Sequence, residues 1–181
     1  QAVSSLTNFA ALLYLIRVMN KETFGLYGLG LSGVLFITGL MSAAIGMQLA
    51  INLPDKEKDL RDIYAVNHAG ALVILGMLLI SASPIAAEIL EIITNSFAEW
   101  SLITSVAVAS ALSSVRDLLT RVAFSARREG VILGSSISAA LALVIGYLII
   151  RFAERDPTAT LALYAYAAGQ AAGAVHLGIA L

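Results

Sequence analysis

The chain has 181 residues, of which 59% are hydrophobic and only 13% are charged, and its formal net charge at pH 7 is −1. Soluble domains carry about a quarter charged residues, so this composition excludes an ordinary soluble fold and favours a membrane protein. The balanced charge gives no basic field for nucleic acid, and the absence of cysteine excludes disulfides, cysteine-ligated zinc and thiol catalysis.

Long apolar runs recur along the chain, and each is close to the length of about 20 residues that a helix needs to cross a membrane. In chain order, the predicted transmembrane helices cover about 2–19, 24–53, 64–93, 97–115, 131–150 and 158–181. Asn20 is interpreted as the end of the first helix, because asparagine tolerates the left-handed conformation that is common there. Pro54 is expected to end the second helix, and 116–128 is predicted as an amphipathic continuation of the fourth.

The apolar runs favour helices over the strands of a membrane barrel. Barrel strands alternate between outward and inward residues over about ten positions, whereas 71–80 and 139–150 are continuously apolar. The predicted fold class is therefore all-α: a polytopic membrane helix bundle of about six transmembrane helices, forming a single transmembrane domain over 1–181. Because the chain begins at Gln1 and both of its ends lie in apolar runs, we expect it to be a fragment of a longer polypeptide.

The distribution of positive charge predicts an orientation. Cytoplasmic loops of membrane proteins carry an excess of lysine and arginine. One side of the predicted bundle carries seven of these residues, namely Lys56, Lys58, Arg61, Arg116, Arg121, Arg127 and Arg128. The other side carries four, namely Arg17, Lys21, Arg151 and Arg155. The first side, and with it the N-terminus, is therefore predicted to be cytoplasmic.

Charged residues inside the predicted spans are candidate functional residues, because one at the centre of a membrane helix costs roughly 2.5–3.5 kcal/mol. Arg17 could turn its guanidinium inward to pair with phosphate oxygens, a geometry that the planar fork suits, and Arg116 is the best-placed cation between the middle and the interface of the fourth helix. The long stem of Arg17 could equally place its head at the membrane interface. Glu88 and Glu91 share one helix face, and they form either an exposed interfacial pair or a site for a proton or cation.

Three amide side chains, Asn8, Gln48 and Gln170, are candidate hydrogen-bonding residues of a polar cavity. Asn8 could instead bond a neighbouring helix, and Gln48 could lie at the membrane interface. The stripe of small residues Ala165, Gly169 and Gly173 predicts that the last helix packs closely against a neighbour, either in ordinary tight packing or at an interface that moves.

The sequence lacks the constellations that enzymes use. It contains no cluster of histidine and acidic residues with metal-ligand spacing, no glycine-rich phosphate loop and no nucleophile motif. We therefore expect neither an enzyme nor a bound metal or cofactor.

The first 27 residues resemble the start of bacterial polysaccharide flippases, the O-antigen and capsule translocases of the multidrug/oligosaccharidyl-lipid/polysaccharide exporter superfamily. The matching residues are Ser5, Asn8, Phe9, Arg17, Phe24, Gly25 and Tyr27. Asn20 stands where that family usually has glycine, and Ile16 stands where alanine is common. The run 116–127 is similar to the arginine-rich end of the family's fourth helix.

The resemblance implies that the chain is the N-terminal six-helix half of a two-lobed exporter in the bacterial cytoplasmic (inner) membrane. The implied substrate is an oligosaccharide linked to undecaprenyl pyrophosphate, flipped for the synthesis of O-antigen, lipopolysaccharide or exopolysaccharide. Arg17 and Arg116 would bind the pyrophosphate, and Asn8, Gln48 and Gln170 would line the cavity. The implied partners are this lipid-linked oligosaccharide, membrane lipids, the C-terminal half of the same chain and other polysaccharide assembly proteins.

Two further hypotheses fit the same sequence. One is a cation-coupled small-molecule or drug antiporter of the same architecture, with Glu88 or Glu91 as the coupling site. The other is a membrane scaffold of a polysaccharide assembly complex that transports nothing. Dependence of transport on pH or Na⁺ would favour the antiporter, and loss of partner binding without loss of flux would favour the scaffold.

Overall fold

The computed structural model describes residues 2–52, 58–94, 100–153 and 157–181, and these residues are almost entirely helical. The helices are α1 (Ala2–Val18), α2 (Lys21–Met41), α3 (Met47–Asn52), α4 (Lys58–Thr94), α5 (Trp100–Ser125), α6 (Glu129–Ala153) and α7 (Ala159–Ala180). A π-helical turn, Ser42–Gly46, joins α2 to α3 without a break, so the described ranges contain six helical rods and no strand. The predicted all-α class is confirmed.

The turn between α1 and α2 corrects the interpretation of Asn20. Its backbone is extended, with φ −71° and ψ 165°, and its side-chain oxygen accepts a hydrogen bond from the Thr23 amide at 2.8 Å. Asn20 therefore caps the start of α2 and does not end α1 in a left-handed conformation. Asparagine is among the preferred N-cap residues because its side chain satisfies an amide that has no partner within the helix. As a result, α2 begins at Lys21 rather than at residue 24.

α5 runs without interruption through Trp100–Ser125, so the predicted continuation over 116–128 belongs to the same helix for most of its length. The turn into α6 places Arg127 in the left-handed region, with φ 56°. The next residue, Arg128, donates from its guanidinium to the Ala180 carbonyl at 2.6 Å. This contact satisfies one of the carbonyls that the last turn of α7 leaves without an intrahelical partner.

Four segments are long and apolar enough to cross a membrane: Lys21–Gly46, Ile63–Ile92, Trp100–Ser125 and Glu129–Ala153. α1 offers a shorter apolar helix over Ser5–Val18, and α7 is rich in alanine and glycine rather than in large apolar residues. The chain thus has helices suited to a multi-pass membrane protein, with four of the six predicted spans present by length and composition.

Large apolar side chains cover the outside of the bundle. Leu29 on α2, Ile92 on α4 and Phe152 on α6 are 70%, 80% and 87% exposed. A soluble protein rarely exposes extended apolar surface of this kind, whereas the hydrocarbon of a bilayer accommodates it. These faces of α2, α4 and α6 are therefore suited to contact lipid.

α7 lies inside the bundle and packs against α2, α5 and α6. Leu163 and Leu177 on α7 are completely buried. The small residues of α7 allow α6 to approach closely, because a Cβ built on Gly169 would lie only 3.0 Å from the carbonyl oxygen of Ala139. The close packing predicted from the small-residue stripe of the last helix is confirmed.

α1 lies at one side of this arrangement. It packs mainly against α6 and makes a smaller contact with α2. Leu15 and Met19, near its end, join the buried cluster around α7. Its first two-thirds border three cavities, so the space between α1 and the rest of the bundle is only partly filled.

Candidate binding site within the membrane bundle

Two polar side chains meet in the interior of the bundle. Arg116 from α5 and Gln170 from α7 are 54 positions apart in sequence, and Arg116 Nη1 donates to Gln170 Oε1 at 2.9 Å. Arg116 lies nine residues before the end of α5, or about 14 Å along the helix axis from that end. Since the hydrocarbon core is about 30 Å thick, this distance would place Arg116 within the core of a membrane that α5 crosses.

A glycine of α7 makes room for the stem of Arg116. A Cβ built on Gly173 would lie 2.6 Å from Arg116 Nε and 2.9 Å from Cδ, so a larger residue there would displace the arginine side chain. Gly173 follows Gln170 by three positions, which places both on the same face of α7. This face of α7 therefore bonds the guanidinium of Arg116 and leaves space for its stem.

Arg116 and Gln170 border a cavity of about 30 Å³ between α1, α5, α6 and α7. Its other polar lining residues are Thr7, Asn8, Ser136 and Tyr166, and its remaining lining residues are Ala139, Ala140, Leu143 and Gly169. A polar cavity of this volume accommodates groups of the size of a water molecule. Hydroxyl, amide and guanidinium groups thus converge on one small space inside the bundle.

Within the described ranges, the charge of Arg116 has no carboxylate partner. Its side-chain hydrogen bond goes to a neutral amide, and the adjacent Asp117 forms its ion pair with Arg121. Arginines inside membrane segments are normally paired or face an aqueous cavity. The guanidinium has five N–H donors, so Arg116 retains donors for a further acceptor. The site is therefore suited to an anion.

A second polar cluster lies where the π-helical turn of the α2–α3 rod crosses α5. Arg121 Nε donates to Asp117 Oδ2 at 3.0 Å, and Arg121 Nη2 donates to Ser42 Oγ at 2.7 Å. The Ser42 hydroxyl in turn donates to Asp117 Oδ2 at 3.0 Å. Gly46 leaves space for this arrangement, because a Cβ there would lie 3.3 Å from Arg121 Nε. The cluster is internally paired and joins the π-helical turn to the arginine-rich end of α5.

Tyrosines from α1, α2 and α6 form a third group. The Tyr27 and Tyr147 hydroxyls lie 3.4 Å apart, and the Tyr14 ring centroid lies 6.1 Å from that of Tyr147. Tyr27 and Tyr147 border a cleft of about 220 Å³, which shares Asn8, Leu143 and Tyr166 with the Arg116 cavity. The tyrosine cleft and the Arg116 cavity are therefore contiguous.

A larger apolar groove runs between α1 and α6. Its volume is about 400 Å³, and its lining residues are Leu6, Thr7, Ala10, Ala11, Tyr14, Leu143, Val144, Tyr147 and Leu148. Thr7 and Leu143 also border the Arg116 cavity. The groove thus begins where the polar cavity ends.

The structure brings together three of the residues that the sequence nominates. Asn8, Arg116 and Gln170 all border the same polar cavity. Gln48 lines a different space between the α2–α3 rod and α4, with Asn67 and His68 among its neighbours.

The remaining candidate residues lie elsewhere. Arg17 is exposed in the last turn of α1 and is not among the residues that line the cavity. Glu88 and Glu91 are exposed near the end of α4.

Sequence reasoning did not nominate Thr7, Ser136 or Tyr166 for the cavity, because single hydroxyl residues are common in membrane helices and carry no pattern. The pairing of Asp117 with Arg121 could have been predicted from the sequence, because oppositely charged residues four positions apart share a helix face. No sequence pattern predicts the contact of Arg121 with Ser42, which lies 79 positions away.

Comparison with models of protein families, with curated proteins and with solved structures finds no match to this chain. Its function is therefore inferred from the chemistry of the site.

Proposed function

We propose that this chain is the N-terminal six-helix half of a bacterial flippase that moves an oligosaccharide linked to undecaprenyl pyrophosphate across the cytoplasmic membrane. Arg116 binds a phosphate oxygen of the substrate within the bundle, and Gln170, Asn8 and the neighbouring hydroxyls complete the polar lining. The protein is a transporter and not an enzyme, and the C-terminal half of the same chain provides the other wall of the pathway.

The observation that carries this proposal is the arginine deep in α5 whose side-chain hydrogen bond goes to a neutral amide, Gln170. Placing a charge in a membrane helix is costly, and such residues commonly mark the pathways of substrates and ions. A guanidinium without a carboxylate partner attracts anions, and its geometry suits phosphate oxygens. The cavity also borders an apolar groove, which suits a substrate with both a charged and a hydrocarbon part.

In this proposal all six helical rods cross the membrane. α1 has a shorter apolar segment than the other rods, but it crosses the membrane beside the cavity that it borders. α7 is less hydrophobic, but its neighbours shield it from lipid. With an even number of spans and the arginine-rich end of α5 facing the cytoplasm, the N-terminus is cytoplasmic as well. Arg17 then lies near the periplasmic interface and is assigned no contact with the substrate in this conformation.

The cation-coupled antiporter draws less support from the site. Glu88 and Glu91 are exposed on α4, and α4 packs chiefly against α5 at the edge of the bundle. Neither carboxylate borders the Arg116 cavity. A role for them in coupling is therefore not part of the proposal.

The proposal is tested by complementation in bacteria that lack their own polysaccharide flippase, using the full-length protein. Wild type should restore surface glycan, and Arg116→Gln should reduce it by about tenfold or more, because a hydrogen bond to a charged group contributes about 1.5–3 kcal/mol. Arg116→Lys should retain part of the activity, since it keeps the charge but loses the planar fork.

Arg151→Gln is the matched control, because Arg151 is exposed at the end of α6 and does not border the cavity. Its activity and expression should equal those of wild type. Normal glycan display by well-expressed Arg116→Gln protein would contradict the assignment of Arg116.

A further inference from the structure

The groove between α1 and α6 continues the polar cavity in one direction only. Along α1 the cavity is bordered by Thr7 and Asn8, and the groove extends from Leu6, one residue before them, to Tyr14. Along α6 the cavity is bordered from Ser136 to Leu143, and the groove extends from Leu143 to Leu148. The groove therefore leads from the Arg116 level toward the end of the bundle where α1 and α6 terminate.

The direction of the groove matches the orientation of lipids in one leaflet of a bilayer. The arginine-rich end of α5 adjoins the start of α6 through the turn at Arg127 and Arg128, so the groove leads away from that side of the membrane. A lipid in the leaflet on the arginine-rich side has its headgroup at that surface and its chain pointing away from it. A lipid with its phosphate at Arg116 and its chain in the groove keeps the same polarity, displaced toward the middle of the membrane.

We propose that the α1/α6 groove binds the hydrocarbon chain of a single-chain lipid phosphate, one phosphate oxygen of which is bound at Arg116, an inference that rests on the proposed function. The groove lies between two neighbouring helices, and the small side chains of Ala10 and Ala11 form part of its wall. Such a slot accepts one chain, whereas a phospholipid would have to leave its second chain outside. Recognition then combines a charged site for the head with an apolar slot for one chain.

The test is a binding measurement on the full-length protein in nanodiscs of neutral phosphatidylcholine. The three probes are inorganic pyrophosphate, farnesyl pyrophosphate and farnesol, which separate the head, the whole amphiphile and the chain. Wild type should bind farnesyl pyrophosphate at least about tenfold more tightly than pyrophosphate. Arg116→Gln should weaken the binding of both phosphates, and farnesol should show only the partitioning found with empty nanodiscs.

The groove itself is tested by filling it. Ala10→Trp places a large side chain in the groove, and Leu13→Trp places the same side chain on a lipid-facing part of α1 that does not line it. The ratio of the two affinities, farnesyl pyrophosphate over pyrophosphate, should fall by about tenfold in Ala10→Trp and stay at the wild-type value in Leu13→Trp. Because both variants share the same bilayer, partitioning of the chain cancels from this comparison.

The outcomes separate this inference from the proposed function. If pyrophosphate binds through Arg116 but Ala10→Trp leaves the affinity ratio unchanged, the groove is not the chain site and the proposed function stands. If didecanoyl phosphatidic acid competes for the site as well as farnesyl pyrophosphate does, the single-chain preference is wrong. If neither phosphate depends on Arg116, the proposed function itself fails.

Discussion

At the scale of single residues, the central feature is the pairing of Arg116 with a neutral partner. The Gln170 amide fixes the direction of the guanidinium without neutralising it, and Gly173 leaves space for the arginine stem. A carboxylate in place of Gln170 would satisfy Arg116 internally and leave little attraction for an anion. The neutral Gln170 amide therefore leaves the positive charge of Arg116 available to an anionic ligand.

The substitution Gln170→Glu should weaken pyrophosphate binding by about tenfold, because the new carboxylate pairs with Arg116 and repels the ligand. Gln170→Ala, which removes the hydrogen bond without adding charge, is the control and should bind more tightly than Gln170→Glu. The measurement is the dissociation constant of pyrophosphate for purified protein at fixed ionic strength. Equal affinities of Gln170→Glu and wild type would show that Arg116 does not act through its net charge.

Gly173→Ala should also weaken pyrophosphate binding, because its Cβ would occupy the space of Arg116 Nε and Cδ. The arginine stem is flexible, so the expected loss falls on binding more than on stability. Gly178→Ala, on the same helix with nothing within 4 Å of its Cβ, is the control and should behave as wild type. Equal binding by the two variants would mean that the stem of Arg116 moves aside at no cost.

The sequence nominated Asn8, Arg116 and Gln170 one at a time, on the ground that polar residues inside a membrane need a partner or a function. Their meeting could not be derived from the sequence, because Arg116 and Gln170 belong to helices that are not consecutive and lie 54 positions apart. Arg17 was nominated on the same ground, yet its position in the last turn of α1 leaves it exposed.

At the scale of elements, the helices follow from the apolar runs, and the ends of those runs are where prediction and structure differ. Asn20 illustrates the cause, because asparagine serves both as an N-cap and as a left-handed C-terminal residue, and only the backbone angles decide between them. The π-helical turn at Ser42–Gly46 was not predicted, since its residues are compatible with an α-helix and the turn is recognised only from its geometry. Such turns are frequent at functional positions in helices.

The cluster at the π-helical turn should act as a coupled unit. In a double-mutant cycle, Asp117→Asn and Arg121→Gln should show an interaction free energy of about 0.5 kcal/mol or more, because the two side chains bond each other and share Ser42. The free energy of unfolding in mixed detergent micelles is the quantity to measure. Crossing Glu88→Gln with Arg121→Gln is the control, and these distant changes should be additive. Additivity of the Asp117 and Arg121 variants would mean that the cluster does not contribute to stability as a unit.

The packing of α7 on α6 should be sensitive to added volume. Gly169→Ala should destabilise the protein by about 1–3 kcal/mol, since its Cβ would meet the backbone oxygen of Ala139, which cannot move aside as a side chain would. Gly178→Ala again provides the control. The thermal midpoint in detergent should fall for Gly169→Ala and stay unchanged for Gly178→Ala, and equal midpoints would contradict a rigid interface.

At the scale of the whole molecule, the account requires six membrane crossings with the two ends of the described chain on the same side. Four of these segments are long and apolar enough to cross a membrane, and the crossings proposed for α1 and α7 depend on the way the bundle shields them. Sequence periodicity alone could not decide whether α7 crosses the membrane. Its alanine and glycine content reflects close packing against other helices rather than contact with lipid.

The topology can be measured with single cysteines, because the native chain contains none. Ala126→Cys, in the turn after α5, should react with a membrane-impermeant maleimide only after the cells are permeabilised. Glu22→Cys, at the start of α2, should react in intact cells. Both positions are exposed and lie at opposite ends of the rods. The reverse pattern would invert the proposed orientation, and reaction of both from the outside would exclude the proposed set of crossings.

The role of Arg116 in transport is tested by flipping of a lipid-linked pyrophosphate glycan by the full-length protein in proteoliposomes. The fraction of substrate that becomes accessible to an external lectin is followed over time for wild type, Arg116→Gln and the control Arg151→Gln. Wild type and Arg151→Gln should flip the substrate rapidly, and Arg116→Gln should flip it at a rate lower by about tenfold or more. Equal rates for wild type and Arg116→Gln would contradict the binding of the substrate's phosphate at Arg116.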